Sequence, residues 1–226
     1  MQASQRTVFS APSLVRLLAR VSAADVAEPG QSPLERLREW LSWTDAIALS
    51  NVLDAALPAS APRAQPDSDA EARLCSDARS ALARAISASA DVTTDYAVAR
   101  QHYLSMQQMM EVRIGDLRDR LRQRLAAHSV QMARLAAIDE TMERALGGHE
   151  KSLLGTVPTL LGKYFKRLQQ AEQQALSDAQ DAGVTPGLTQ GAWLDVFRGD
   201  MQSALHAELV IRFQPIEGLL AALRAR

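Results

Sequence analysis

The chain has 226 residues, of which 47% are hydrophobic and only 4% aromatic, and its 25 basic and 26 acidic residues leave a net charge of -1. This length and hydrophobic content suffice for a packed core in one large or two small domains. The balanced charge indicates neither a polyanionic nor a polycationic partner, and the single cysteine, Cys75, excludes an internal disulfide and a cysteine metal site. A composition rich in alanine and leucine but poor in aromatic and β-branched residues predicts an all-α fold.

Residues 1–57 are predicted to form an N-terminal helical region. A first short helix is predicted over Pro12–Ala23, because proline is tolerated in the first turn and the following AEPGQ segment ends the helix. Ser32 and Glu35 form a capping box, which predicts a second helix that runs to Leu57, where a proline follows.

Two of the three tryptophans lie in this second helix. Trp40 and Trp43 fall on a broad apolar arc that also contains Leu37, Leu41 and Ile47. An apolar arc of this kind is typical of a helix packed on a core. We therefore predict that both tryptophans anchor the core, and the alternative is an exposed hot spot for a partner.

A Pro-rich linker over residues 58–68 is predicted to separate this region from the long helices of residues 69–183. The linker carries three prolines among small and polar neighbours. Ser68 and Glu71 make a second capping box, which predicts a helix that continues to about Ser89.

Apolar residues recur at three- and four-residue steps over Tyr96–Leu146, a spacing typical of a coiled-coil seam. A second apolar stripe follows Gly147-Gly148. Two stripes joined by a glycine pair predict a long antiparallel helical hairpin whose chain reversal lies at these glycines. Ser129 is able to cap a new helix, so a break near His128 is an open alternative.

The C-terminal region, residues 184–226, is predicted to hold a helix over Ala192–Phe213 and a short terminal helix that begins at Pro215. Pro158 either kinks the second stripe or marks its true start. No strand pattern occurs anywhere in the sequence.

The sequence carries no motif that predicts chemistry. None of the four histidines lies at metal-ligand spacing from another. The segment GTVPTLLGK has six residues between its glycines and Tyr164 after Lys163, so it lacks the spacing of a phosphate-binding loop. We therefore predict no catalytic residue, metal, cofactor or small-molecule substrate, and expect that the protein is not an enzyme.

The candidate interaction residues are basic residues and methionines of the long-helix region: Arg113, Arg118, Arg120, Arg122, Arg124, Met106, Met109 and Met110. Helical geometry places Arg113, Arg120 and Arg124 beside the apolar seam, within reach of acidic residues on a partner helix, whereas Arg118 and Arg122 point away. Methionines suit interfaces that repack. Nucleic-acid binding through the same arginines is the alternative, but residues 93–147 hold eight basic and seven acidic residues, which disfavours it.

The N-terminal residues resemble an uncharacterised bacterial family that is known only as a domain of unknown function. The resemblance rests on an R-T-x-F opening, an L-V-R-L-L run and a W-L-S-W-T-D-A-I-A-L-S segment, which are Arg6 to Phe9, Leu14 to Leu18 and Trp40 to Ser50. The resemblance brings no catalytic residue with it. Similar proteins are associated with genes for an OmpA-like cell-wall-binding protein and a coiled-coil membrane protein, so it implies an accessory of an envelope-linked assembly.

We therefore expect a non-catalytic helical interaction or scaffold protein that docks a protein partner or a second copy of itself. No secretory signal is visible, and no apolar run reaches the roughly 18–20 residues that a membrane span needs. A cytoplasmic location is expected on these grounds.

Overall fold

The computed structural model describes residues 13–22, 33–54, 68–88, 94–182 and 191–225. Eight helices account for nearly all of these residues, and no strand occurs within them, so the all-α prediction is confirmed. In chain order the helices are α1 (Ser13–Ser22), α2 (Pro33–Trp40), α3 (Trp43–Asp54), α4 (Ser68–Ser87), α5 (Tyr96–His128), α6 (Val130–Leu154), α7 (Val157–Asp181) and α8 (Ala192–Arg224). The predicted cap at Ser32, the end at Leu57 and all but the last residue of the Pro-rich linker lie outside the described residues.

The C-terminal helix α8 is the centre of the molecule. It packs against α1, α4, α5, α6 and α7, and its apolar side chains form much of the core. The predicted break at Pro215 is wrong, because α8 continues through this residue to Arg224. Proline inside a helix removes one hydrogen bond and costs about 3 kcal/mol, but Phe213 and Ile216 on either side are buried. Burial of such side chains, worth about 1.5–3 kcal/mol each, offsets that cost.

A buried carboxylate joins α8 to α5 and α6. Glu208 is fully buried and accepts a hydrogen bond of 2.9 Å from the Tyr103 hydroxyl. The Gln107 amide nitrogen donates to both oxygens of Glu208 at 3.1 Å and to the carbonyl of Leu154 at 3.1 Å. Arg212, one turn along α8, adds an ion pair at 2.9 Å. Burial, together with the negative charge of Glu208, raises the pKa of Tyr103, so the phenol remains a hydrogen-bond donor.

The chain reverses at Ser129, between α5 and α6. Its backbone is extended, and its hydroxyl accepts a hydrogen bond of 3.2 Å from the amide of Met132, which caps α6. The open alternative of a break near His128 is thereby confirmed. The predicted reversal at Gly147-Gly148 is wrong, because α6 runs through both glycines to Leu154. Glycine permits a helix to end but does not require it, whereas the Ser129 side chain satisfies an amide that the helix leaves free.

The helix predicted to run from Ser32 to Leu57 is also divided. Trp40 ends α2 and Trp43 begins α3, with Ser42 as the cap between them. The Ser42 hydroxyl accepts from the amide of Asp45 at 3.2 Å, and the Asp45 carboxylate accepts from the amide of Ser42 at 3.1 Å. The Ser42 hydroxyl also donates to the Asp45 carboxylate at 2.5 Å, and this bond, followed by the bond from the Ser42 amide, lowers the pKa of Asp45. Reciprocal capping of this kind starts a helix, so the tryptophan segment forms two helices.

The division at Ser42 separates the two tryptophans. Trp40 is partly buried and stacks on His149 of α6, with ring centroids 5.4 Å apart. Trp43 is 81% exposed and Ile47 is 46% exposed, while α3 contributes no buried residue. The prediction that both tryptophans anchor the core is wrong for Trp43. The apolar arc places both tryptophans on one face only if a single helix continues through Ser42, and the chain forms two helices there.

Aromatic side chains from α5, α7 and α8 pack together near the start of α7. Phe165 makes edge contacts with Phe197 and Trp193, at centroid distances of 5.0 and 4.8 Å. Tyr96 lies against Phe165 and donates a hydrogen bond to the carbonyl of Pro158. Pro158 lies in the first turn of α7, which confirms that it marks the true start of this helix.

Gly162 provides the space that the ring of Tyr96 occupies. A Cβ at this position would lie 2.7 Å from that ring. We expect Gly162→Ala to destabilise the protein by about 1–3 kcal/mol, because the ring and its aromatic neighbours must shift. Gly148→Ala is the matched control: a Cβ added there would meet no atom within 4 Å, so we expect a gain of about 0.5–1 kcal/mol in helix stability. Urea denaturation of both variants measures the difference, and equal effects would contradict the proposed role of Gly162.

The two tryptophans should differ in their contributions to stability. Trp40→Ala removes a partly buried ring and its stack on His149, so we expect a loss of about 1–2 kcal/mol. Trp43→Ala removes an exposed ring, and we expect a change within about 0.5 kcal/mol. Thermal melts of the two variants measure this. A larger loss for Trp43→Ala than for Trp40→Ala would show that Trp43 is covered in solution.

Candidate functional site

Two of the candidate arginines join α5 to α6. Arg118 binds the Asp139 carboxylate through two bonds of 2.8 Å and reaches Glu143 at 3.1 Å. Arg122 donates to the same Asp139 at 2.8 Å and to Glu143 at 2.5 Å. The side chains of Arg118 and Arg122 are only 13% and 10% exposed. The expectation that these two arginines point away from any pairing surface is therefore wrong.

The charges in this cluster stabilise each other. Desolvation alone would raise the pKa of Asp139, but the hydrogen bonds and positive charges of Arg118 and Arg122 outweigh it and lower that pKa. Paired guanidinium groups of this kind are held in fixed orientations by bidentate bonds. These side chains are therefore part of the helix–helix contact and are not displayed to a partner.

Arg120 and Arg124 pair with α4 of the same chain. Arg120 contacts the two oxygens of Glu71 at 2.7 and 3.0 Å, and Arg124 contacts one of them at 3.0 Å. The Glu71 side chain is 4% exposed, while the two arginines are about half exposed. The hydrogen bond from Arg120 is the main cause that lowers the pKa of Glu71. The sequence predicts Glu71 as part of a capping box, and the structure shows it in this ion-pair cluster.

Arg113 is the candidate arginine with no ion pair to another described residue. It lies with Met109 on the edge of a groove of about 370 Å³ between α4 and α5, hereafter the α4–α5 groove. The groove is lined by Leu74, Asp77, Ala78, Ala81, Leu82, Met109 and Arg113. Met109 is 41% exposed and Leu74 is 38% exposed. Asp77, on the opposite edge from Arg113, also makes no ion pair with a described residue, so the groove is apolar with one charge of each sign at its rim.

The other two candidate methionines belong to the interior. Met110 is only 1% exposed, and Met106 is partly buried against the core. Both therefore belong to the core or its edge, and of the three candidate methionines only Met109 is exposed.

A second cavity, of about 430 Å³, lies between α5, α6 and α8. Gly115, Gly147 and Gly148 leave it open, because a Cβ added at any of them would meet no atom within 4 Å. Six charged side chains line it and form pairs across it: Lys151 with Glu111 at 3.0 Å, Arg212 with Glu150 at 3.8 Å and Arg118 with Glu143 at 3.1 Å. The six charged groups of this cavity are therefore paired within the chain.

The described residues hold neither a metal-binding cluster nor a membrane span. Within their ranges, no three His, Cys, Asp or Glu side chains lie close enough together to hold a metal ion. None of the helices described above combines the length and the apolar character needed to span a membrane.

The geometry defines an all-helical protein in which clusters of charged side chains, around Glu71 and around Asp139, join its own helices. The chain belongs to the family described as Protein of unknown function (DUF3348), whose model matches residues 1–225. The resemblance to a family of unknown function is thereby confirmed. Comparison with curated proteins and with solved structures gave no significant match.

The Glu71 cluster should make stability depend on pH. The pKa of Glu71 is lower in the folded chain than its ordinary value of 4.5. Its contribution to stability is therefore present above pH 4.5 and is lost as the pH falls through the lowered, folded value. We expect Glu71→Gln to lower the free energy of unfolding by about 1–3 kcal/mol at neutral pH, because two guanidinium groups lose their anionic partner. The loss should become progressively smaller as the pH falls into the acid range.

Glu140→Gln is the control for this prediction. Glu140 forms an exposed ion pair with Arg144 within α6, and such pairs contribute about 0.3–0.5 kcal/mol. Chemical denaturation at several pH values measures both variants. Equal losses at neutral pH, or a Glu71→Gln loss that does not shrink below pH 4.5, would contradict the assigned role of Glu71.

Proposed function

We propose that this protein is a non-catalytic interaction protein that binds a helical protein surface through the α4–α5 groove. The observation that carries the proposal is the exposed apolar lining of this groove, where Leu74 and Met109 stand beside small residues of α4. Apolar grooves between two helices bind amphipathic helices, whose side chains at every third or fourth position fill the groove. Met109 supports the proposal further, because methionine adapts its shape to a partner.

The charges at the rim favour a partner of mixed sign. Asp77 and Arg113 lie on opposite edges of the groove and make no ion pair with the described residues. A bound helix with a basic residue on one edge and an acidic residue on the other complements both. Rim charges of this kind contribute to orientation and association rate more than to affinity.

Nucleic-acid binding through the Arg113–Arg124 region receives less support. Phosphate contacts need arginines that are free to neutralise the backbone. Arg118, Arg120, Arg122 and Arg124 each contact one or more carboxylates of the same chain. Only Arg113 in this stretch lacks such a partner among the described residues, so the region offers no continuous basic surface.

The proposal extends to the cellular setting that the family resemblance implies. An accessory of an envelope-linked assembly needs docking surfaces and no active site, and a rigid helical body supplies such a surface. The cytoplasmic location remains part of this proposal.

A capture experiment with three baits tests the groove. We expect the unmodified chain to retain a partner from a lysate of its native cells. The Met109→Glu variant should retain at least about tenfold less of that partner, because burying a carboxylate in an apolar contact has a large free-energy cost. Met109 is exposed enough that the substitution should change stability by less than about 0.5 kcal/mol.

Val196→Glu is the matched control. Val196 is 52% exposed on α8 and lies outside the groove, so the same carboxylate is introduced elsewhere on the surface. The proposal requires that the control retains the partner lost by Met109→Glu. If all three baits retain the partner equally, the docking surface lies elsewhere on the protein. If the unmodified chain retains DNA in a salt-dependent way, the nucleic-acid alternative is favoured.

A further inference from the structure

We propose that the helical surface bound by the α4–α5 groove is the same groove of a second copy of this chain. Two copies then pair face to face about a two-fold axis, with Arg113 of each copy opposite Asp77 of the other. This inference rests on the proposed function, since it names the partner of the same site. It follows from one property of the groove, which is that the surface complements itself in shape and in charge.

The shape argument comes from the side chains that line the groove. Each copy presents two large apolar side chains, Leu74 on α4 and Met109 on α5, which are 38% and 41% exposed. Each copy also presents a hole, because Ala78 and Ala81 leave space between the two helices. A two-fold interface requires a surface that is complementary to itself. Here the protruding side chains and the hole that receives them occur on the same patch.

The charge argument comes from the rim. Asp77 and Arg113 carry opposite charges on the α4 and α5 edges of one groove, and neither forms an ion pair with another described residue. This sets Arg113 apart from Arg118, Arg120, Arg122 and Arg124, all of which are paired within the chain. A two-fold axis that runs along the groove, between the two copies, places the α4 edge of each copy opposite the α5 edge of the other. The dimer then contains two contacts between Arg113 of one copy and Asp77 of the other.

The apolar surface continues beyond the groove along α5. Val112 is 51% exposed and follows Met109 by three residues, so it lies less than one turn along the same helix. A stable interface needs about 1,200–2,000 Å² of buried surface in total. The pairing therefore uses the exposed length of both helices in addition to the groove itself.

Charge reversal followed by mixing tests the arrangement. Sedimentation at low ionic strength, from about 1 to about 200 µM, should show the unmodified chain approaching twice its mass of 24.6 kDa. Arg113→Asp and Asp77→Arg each place like charges opposite each other twice, so each variant alone should dimerise at least about tenfold more weakly. An equimolar mixture of the two variants restores both attractive contacts, and should dimerise about as well as the unmodified chain.

Arg100→Asp is the matched control. It introduces the same change of charge at another exposed position of α5, 13 residues and about 20 Å before Arg113, and it should leave dimerisation unchanged. Thermal melts of every variant establish that each is folded.

Three outcomes would overturn self-pairing. In the first, the unmodified chain stays monomeric over the whole concentration range. In the second, the single variants dimerise as well as the unmodified chain, and in the third, the equimolar mixture of the two variants stays monomeric. None of these three outcomes contradicts the proposed docking function, which the capture experiment with Met109→Glu tests separately. If that variant loses a partner other than this chain, the groove remains a docking site for another protein.

Discussion

The burial of Glu208 is the constraint on which the arrangement of the long helices depends. A carboxylate without access to water is tolerated only when hydrogen bonds and a counter-charge replace its hydration. Its partners come from two helices, Tyr103 and Gln107 on α5 and Arg212 on α8 itself. Because Gln107 also binds the carbonyl of Leu154, the end of α6 is held at the same point. Displacing any of these helices would leave a polar group buried without a partner, so their crossing is fixed in one register.

Much of the helical structure could be predicted from local chemistry. The start of α4 at Ser68, the start of α7 beside Pro158 and the buried face of α8 all follow from caps, proline position and apolar spacing. The wrong predictions arise where two local signals compete. Gly147-Gly148 and Ser129 both allow the chain to reverse, but a capping side chain stabilises a helix end and a glycine only permits one. Ser42 fits a polar position within a continuous helix, yet Asp45 three residues later makes it a cap.

The candidate site could be predicted in part. The sequence singles out the arginines of α5, but their partners depend on how the helices fold against one another, which no local pattern determines. One signal exists for Arg118 and Arg122: they are four residues apart, as are Asp139 and Glu143, so each pair lies on one helix face and the two faces match in spacing. No comparable signal marks Glu71, because its role arises from the contact between α4 and α5. Met109 and Met110 are adjacent in the sequence, and which of the two is exposed likewise depends on how the neighbouring helices pack.

The reversal at Ser129 also bears on the order in which contacts can form as the chain folds. The ion pairs between α5 and α6 join residues 17 to 40 positions apart, whereas the pairs between α4 and α5 span 49 to 53 positions and the hydrogen bonds from Tyr103 and Gln107 to Glu208 span 101 to 105. The entropy lost on closing a loop grows with its length, and local contacts are reached sooner than distant ones. A single extended residue between two long helices therefore gives the contact between α5 and α6 a small entropic cost of association, compared with the contacts that either helix makes with α4 or α8.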